Sequence, residues 1–335
     1  MKSSDQILPR EILAELQTAG LVGESPLVHS LTGGVSGEIW RVEDGGQSFV
    51  VKRALPKLKV AANWQADVRR NRYEQEYLRV VGEFLPGVVP RILLADPAWD
   101  FFVMELLDGD FVDWKKALLA GRLDLDVANH AGGILGRIHG WSWGNTDLAG
   151  RFDTGKFFRD LRIAPYLLTC ADKHPECAAA IQAEAIRLAG TRRALVHGDF
   201  SPKNLMVAPG RLVVLDCEVA WYGDPAFDVS FLISHLLLKS LRCPREVTSF
   251  LSLINRFWRA YADAIGEEKF SQVVKDCPRL LMCLLLARVD GKSPVEYLND
   301  DTKKKFLRDF ASRYLQNPVK ELSQCLSLWR DSLPS

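Results

Sequence analysis

The chain has 335 residues, 47% of them apolar and 25% charged, enough for about two domains around large cores and too apolar for a disordered polyelectrolyte. With 43 Lys and Arg against 42 Asp and Glu the formal charge is +1, which excludes a strongly basic nucleic-acid binder. The longest wholly apolar run, Leu280 to Ala287, is far shorter than the ~18 residues of a membrane span. The N-terminal residues lead into Pro9-Arg10-Glu11 with no apolar signal core. Seven cysteines without paired C-x-x-C spacing read as reduced thiols in a core. The expectation is a soluble, cytoplasmic protein with neither a nucleic-acid nor a membrane partner, its oligomeric state left open.

In chain order, Pro9 to Gln17 carries Ile12, Leu13 and Leu16 on one helical face, with Gly20 just beyond. Ile39-Trp40-Arg41-Val42 and Ser48-Phe49-Val50-Val51, split by Asp44-Gly45-Gly46, predict a β-hairpin. Asn71 to Gly82 returns to helical spacing through Tyr73, Tyr77, Val80 and Val81, and Pro86-Gly87 ends it. Arg91 to Ala95 and Phe101 to Leu107 read as strands, and Asp108-Gly109-Asp110 marks a joint. Beyond it the periodicity is mostly helical: Ala128 to His139, Cys177 to Ala189, Val229 to Lys239, Val247 to Ile265 and Cys277 to Val289. One interruption, Leu205 to Val207 and Leu212 to Leu215 around Ala208-Pro209-Gly210-Arg211, predicts a small hairpin inside the helical part. The picture is an α+β chain with a β-rich small lobe, residues 1–108, and a larger, mostly helical lobe, residues 109–335.

The segment His197-Gly198-Asp199-Phe200-Ser201-Pro202-Lys203-Asn204, with Asp216 twelve residues after the Asn at the end of the hairpin, has the layout of a phosphoryl-transfer site of the kinase type. In that layout Asp199 orients the acceptor hydroxyl and receives its proton, while Asn204 and Asp216 hold Mg²⁺, a cation that prefers oxygen ligands. The small lobe supplies a matching half. Leu31 to Gly37 contains Gly33, Gly34 and Ser36, where backbone N–H groups can approach the phosphates of ATP. Lys52 ends Phe49-Val50-Val51-Lys52 as a strand lysine that contacts phosphates and pairs with a helix carboxylate. Glu74 is the choice for that carboxylate and Glu76 the alternative, because two residues apart on a helix they face different ways.

These motifs, together with Asp216-Cys217-Glu218 and Gly223-Asp224-Pro225-Ala226-Phe227-Asp228, resemble the aminoglycoside phosphotransferase and choline kinase superfamily of small-molecule kinases over nearly the whole chain. The resemblance implies a bilobal protein-kinase-like fold, ATP between the lobes, Asp199 as catalytic base and Mg²⁺ on Asn204 and Asp216. The Met104-Glu105 dipeptide matches the hinge of those enzymes, which assigns backbone groups of Glu105 to Leu107 to the adenine. Asp216 to Gly223, and Arg72 to Leu78 leading to Val89-Pro90-Arg91, are similar to stretches of 5-methylthioribose kinases. Arg288 falls where those enzymes carry a pair of substrate-binding arginines, with Ala287 in place of the first, and Ser201-Pro202-Lys203-Asn204 departs from their usual loop.

The reading is an ATP- and Mg²⁺-dependent kinase acting on a hydroxyl of a small molecule, sugar-like or an antibiotic. An aminoglycoside kinase and a non-catalytic pseudokinase are the alternatives. A protein kinase is disfavoured because D-F-G and A-P-E are absent and Asp224 follows Asp216 by only eight positions. His197 and Asp228 read as loop anchors, and His130 and His139 as structural or surface residues without metal-ligand spacing. Lys203 is open between neutralising the transferred phosphate and a solvated loop position, and Glu218, a candidate substrate residue, between touching the acceptor, the metal and the loop backbone. Residues 109–335 hold 31 basic and 27 acidic residues, a balance that disfavours a polycationic acceptor. A neutral or anionic acceptor is expected, contacted by Arg288 together with Trp221 or Tyr222, with an interhelical salt bridge as the other use of Arg288.

Overall fold

The computed structural model describes residues 7–31, 37–56, 67–96, 99–107 and 109–333. The chain divides into two compact units, Met1–Phe111 and Val112–Ser335, three residues beyond the expected joint. The first unit runs α1 (Arg10–Thr18), β1 (Leu27–Ser30), β2 (Gly37–Asp44), β3 (Gln47–Ala54), α2 (Arg70–Phe84), β4 (Ile92–Ala95) and β5 (Phe101–Glu105). Its strands form one antiparallel sheet in the order β1-β2-β3-β5-β4. Successive side chains on a strand point to opposite faces, and β3 is buried on both. Phe49 and Val51 join Trp40, Val42, Phe101 and Val103 in a core with Ile12 and Leu16 of α1. Lys52 comes from the alternate face of β3 and meets α2.

The second unit begins with β6 (Val112–Asp113), α3 (Trp114–Leu119), α4 (Leu125–Ser142), α5 (Thr146–Arg151) and α6 (Gly155–Phe158). A π-helical segment, Arg159–Leu168, then leads into α7 (Thr169–Lys173) and α8 (Ala178–Gly190). Next come β7 (Ala194–Val196), β8 (Leu205–Ala208), β9 (Arg211–Val214) and β10 (Trp221–Gly223). The chain closes with α9 (Ala226–Arg242), α10 (Val247–Ile265), α11 (Glu267–Val274), α12 (Cys277–Asp290), α13 (Asp301–Gln316) and α14 (Leu322–Ser332). The architecture is α+β, as the sequence predicts, and the hairpin within the helical part is β8–β9, with β6 as a third strand. Sequence reading did not anticipate the pairing of β10 with β7, Trp221 opposite Val196, or α13, whose buried Leu307, Phe310, Ala311 and Leu315 carry a helical period.

Two glycines let α4 and α10 approach closely. A Cβ at Gly132 would stand 2.3 Å from the carbonyl oxygen of Phe257, and one at Gly136 would stand 2.7 Å from that of Tyr261. Across this contact His139 Nδ1 lies 3.0 Å from the Tyr261 hydroxyl, so His139 is a core residue and the surface reading does not hold. The seven cysteines are all unpaired thiols. Among the described residues no helix is long and apolar enough to cross a membrane.

Candidate active site

In the first unit, Lys52 Nζ donates to Glu74 Oε1 at 2.7 Å, and both side chains are buried. Glu76 lies on another face of α2, where it accepts from Arg79 at 3.0 Å. Helix geometry therefore decides between the two carboxylates in favour of Glu74. At the end of β5 the Glu105 N–H donates to the Arg91 carbonyl at 2.9 Å, and its carboxylate accepts from Arg91 Nε at 2.9 Å. Leu107, two residues on, follows the strand without regular structure. Gly33, Gly34 and Ser36 lie outside the described residues.

In the second unit the loop from His197 to Asn204 is fastened from below by one buried carboxylate. Asp228, in the first turn of α9, accepts from the backbone N–H groups of His197 at 2.7 Å and Gly198 at 2.9 Å, and His139 Nε2 lies 3.3 Å away. His197 is itself a brace. The Asp199 N–H donates to its Nδ1 at 3.1 Å, so Nε2 carries the proton and donates to the Leu215 carbonyl at 3.0 Å. Burial pushes its pKa down against the pull of Asp228 and Asp199, and the ring is neutral and structural. Gly198 sits at φ 78°, where a Cβ would stand 2.5 Å from the Val219 carbonyl oxygen, so this turn requires glycine on both counts.

Asp199 emerges from that base 5% exposed. Its Oδ2 accepts from Lys203 Nζ at 2.9 Å and Asn204 Nδ2 at 2.9 Å, with Arg162 Nη2 at 3.4 Å. Burial alone would raise the pKa of this carboxyl, but Lys203 and Arg162 outweigh it and hold the group below the usual carboxylate range. Asp199 is thus a fixed anion, able to accept a hydrogen bond from a hydroxyl and weak as a free base. Arg162 was not visible in the sequence. It lies in the π-helical segment, where Pro165 and the wide turn occur together, a feature frequent at functional sites. Its Nε donates to the Gly198 carbonyl at 2.6 Å, so one guanidinium grips both the loop backbone and the Asp199 carboxylate.

The β8–β9 hairpin brings Asp216 beside Asn204. Leu205 pairs with Val214, and the Leu215 N–H donates to the Asn204 carbonyl at 2.9 Å, which closes the twelve-residue interval. Asp216 has φ 61° and is the one non-glycine residue with positive φ among the described residues, a strained conformation of the sort retained at functional sites. Carboxylate oxygens of Asp216 and Glu218 lie within 4.8 Å of one another. Asn204 directs its amide nitrogen to Asp199 through two bonds, leaving its amide oxygen without a partner among the described residues. An amide oxygen and two neighbouring carboxylates form a hard oxygen donor set of the kind Mg²⁺ takes, with waters and phosphates completing its shell.

Of the expected acceptor contacts, Trp221 and Tyr222 belong to the core. Trp221 stacks on Phe158 at 4.1 Å, and the Tyr222 hydroxyl donates to the carbonyls of Ser142 and Arg193 at 3.0 and 2.9 Å. Both are pinned by the β7–β10 pair, which sequence reading did not foresee. Arg288 makes no salt bridge among the described residues. Its Nη1 donates to the Tyr166 hydroxyl at 3.1 Å and to the Ser293 carbonyl at 2.5 Å.

Residues 28–268 match the phosphotransferase enzyme family. The methylthioribose kinase of Bacillus cereus (strain AH187) is 24% identical over 351 residues, covering 90% of this chain and 86% of that protein. Among solved structures, an amicoumacin kinase in complex with AMP-PNP, Ca²⁺ and Ami superposes with a TM-score of 0.55 at 12% identity, covering 93% of this chain and 97% of the other. The choline kinase of Cryptosporidium parvum Iowa II gives 0.54 at 12% identity, covering 95% and 100%. These structures share the kinase-like fold with this chain.

Proposed function

The chain belongs to the phosphotransferase enzyme family, and from that premise we propose that it transfers the γ-phosphoryl group of ATP to a hydroxyl of a small, sugar-like molecule. The observation that carries this reading is the Asp199 carboxylate, held ionised by Lys203, Arg162 and Asn204 at the end of a loop anchored by Asp228. In this reading Asp199 accepts a hydrogen bond from the acceptor hydroxyl and aims its oxygen at the phosphorus. It takes the proton as the new O–P bond forms and the bond to the ADP oxygen breaks. A carboxylate kept below its usual pKa receives that proton late, which suits a loose transition state in which positioning outweighs base strength. Asn204 and Asp216, with Glu218 adjacent, would hold Mg²⁺, which would neutralise phosphate charge. Lys52, oriented by Glu74, contacts the nucleotide phosphates, and the Glu105 carbonyl and Leu107 N–H read the adenine, since the Glu105 N–H is already engaged.

The methylthioribose kinase relatives support a sugar-like acceptor, and the presence of Lys52, Asp199, Asn204 and Asp216 together argues against a pseudokinase. The test is ADP formation against a panel of hydroxylated metabolites, antibiotics and choline. Asp199→Asn should lower turnover ~10²- to 10⁴-fold while ATP still binds. Near-wild-type kcat in that variant would remove Asp199 from the mechanism.

A further inference from the structure

In the second unit a cluster of cations gathers around the buried Lys239, with few carboxylates against it among the described residues. Lys239 of α9 has no exposed surface, yet among the described residues no carboxylate stands within 4.0 Å of it. Its Nζ reaches the His235 carbonyl at 3.4 Å and lies 5.2 Å from the centre of the Tyr297 ring. Arg288 of α12, half-buried, likewise has no carboxylate partner among the described residues: its Nη1 donates to the neutral oxygens of Tyr166 and Ser293, and its Nε is buried and unbonded. The Tyr297 hydroxyl is also buried, without a partner among the described residues. Lys115 of α3 approaches the same ring at 5.9 Å, and its ammonium pairs with Glu296. Burial, Lys115 and Arg288 press the Lys239 pKa down to about 7 against the opposing pull of Glu296 and Asp113. The same field from Arg288, Lys239, Lys203 and Lys115 adds to burial in keeping His235 neutral.

The cluster is tied to Asp199 through one ring. Arg162, which meets Asp199, has its guanidinium carbon 5.7 Å from the centre of Tyr166, and Arg288 lies 5.6 Å from the same centre. A buried ammonium and a guanidinium without carboxylate partners are costly unless something charged completes them. Arg288 shares the Tyr166 ring with Arg162, which meets the carboxylate that receives the acceptor's proton. We propose that Lys239, Arg288 and Tyr297 form an oxyanion subsite for an acidic group, carboxylate or phosphate, carried by the hydroxylated acceptor. The inference rests on reading Asp199 as the centre of a kinase site and narrows the acceptor to an anionic molecule. Lys239 and Arg288 supply charge, and the Tyr297 hydroxyl supplies a donor. Lys115, paired with the largely exposed Glu296, stands at the outer side. A polycationic aminoglycoside would meet like charge here.

The test uses the full-length protein and hydroxylated acceptors matched in sets: neutral sugars, their sugar acids and their sugar phosphates. ADP formation should concentrate on the acidic members, and the carboxylate and phosphate arms identify which oxyanion fits. Lys239→Met should raise KM for that acceptor ~10- to 100-fold, more than it lowers kcat, and Tyr297→Phe should raise it less. Separately, sulfate titrated at constant ionic strength should raise the melting temperature of wild type more than that of Lys239→Met, whose rise reports the general stabilisation by an excluded salt. Turnover confined to neutral or cationic acceptors, with KM unmoved by Lys239→Met, would overturn the subsite. So would equal effects of sulfate on wild type and variant. Nucleotide binding, followed with ATP and Mg²⁺ alone, reports on the kinase reading independently, and the sulfate titration decides the subsite even if no acceptor in the panel is turned over.

Discussion

Replacing Lys239 should make the protein more stable. An ordinary lysine titrates at 10.5, and at Lys239 burial, followed by Lys115 and Arg288, brings this to about 7. At about 1.4 kcal/mol per tenfold change, the protonated side chain is on the order of 5 kcal/mol worse off in the folded chain than in the unfolded one. Methionine has a similar length and no charge. Lys239→Met removes the penalty and forfeits only the contact with the Tyr297 ring, so a net gain of ~2–4 kcal/mol at pH 7 is expected. For a unit of this size that is roughly 5–15 °C in melting temperature. The pH dependence is specific. Between about pH 7 and 10.5 the unfolded chain holds the Lys239 proton and the folded chain has lost it, so wild-type stability rises with pH through that window and levels off below it. The advantage of Lys239→Met should therefore be full at pH 6 to 7 and shrink toward pH 10. Thermal and urea unfolding followed by circular dichroism across pH 6 to 10 measures both. A variant less stable than wild type at pH 7, or an advantage that does not change with pH, would refute the account of a penalised buried ammonium.

Asp216→Ala should reduce turnover and remove the Mg²⁺ dependence of nucleotide binding together, as titrations with and without Mg²⁺ would show, while alanine at the positive φ of this position relieves none of the backbone strain. Gly198→Ala places a Cβ against the Val219 carbonyl at a positive φ and should cost ~1–3 kcal/mol and most of kcat, read by unfolding and by single-turnover rates. Lys52→Met leaves Glu74 buried without its lysine and should raise KM for ATP at least tenfold, while Lys52→Met/Glu74→Gln should recover stability but not ATP affinity. Isothermal titration with ATP, beside urea unfolding, separates the two effects.

The parts of this site visible in the sequence are those governed by local spacing. The β8–β9 hairpin is bounded by Leu205 and Val214, so Asn204 and Asp216 become neighbours by strand pairing alone, and the choice of Glu74 over Glu76 follows from the turn angle of α2. The parts that were not visible depend on distant packing. Trp221 and Tyr222 follow Asp216-Cys217-Glu218 closely in sequence, but β10 pairs with β7 and draws both into the core. Arg162 has no motif around it, and its role arises because the π-helical segment passes the Gly198 carbonyl. Lys239 had a signal that periodicity alone does not capture. Helix α9 is buried on every side from Ala226 to Leu241, and an all-round apolar helix implies that any lysine within it is interior.

Arg162 shows how the loop and the chemistry are joined, and its replacement tests that connection. Its three nitrogens serve the Leu161 carbonyl at 2.8 Å, the Gly198 carbonyl at 2.6 Å and the Asp199 carboxylate. Lysine can satisfy one of these and lacks the planar fork that satisfies all three. Arg162→Met leaves the Gly198 carbonyl without this donor and Asp199 with one fewer cation, and loss of a buried charged partner costs ~3–5 kcal/mol. Lys203 and Asn204 still hold Asp199, so the carboxylate remains an anion, but its direction is set by two groups on its own loop rather than by a group on a separate segment. The expected outcome is a fall in kcat with KM for ATP unchanged, since no nucleotide contact is removed. Arg162→Lys should recover part of the stability and little of kcat, because charge is restored and the grip on Gly198 is not. Stopped-flow phosphoryl transfer beside urea unfolding separates the two quantities. Equal recovery of both by lysine would show that Arg162 supplies charge alone, and an unchanged kcat in Arg162→Met would show that Asp199 is positioned by its own loop.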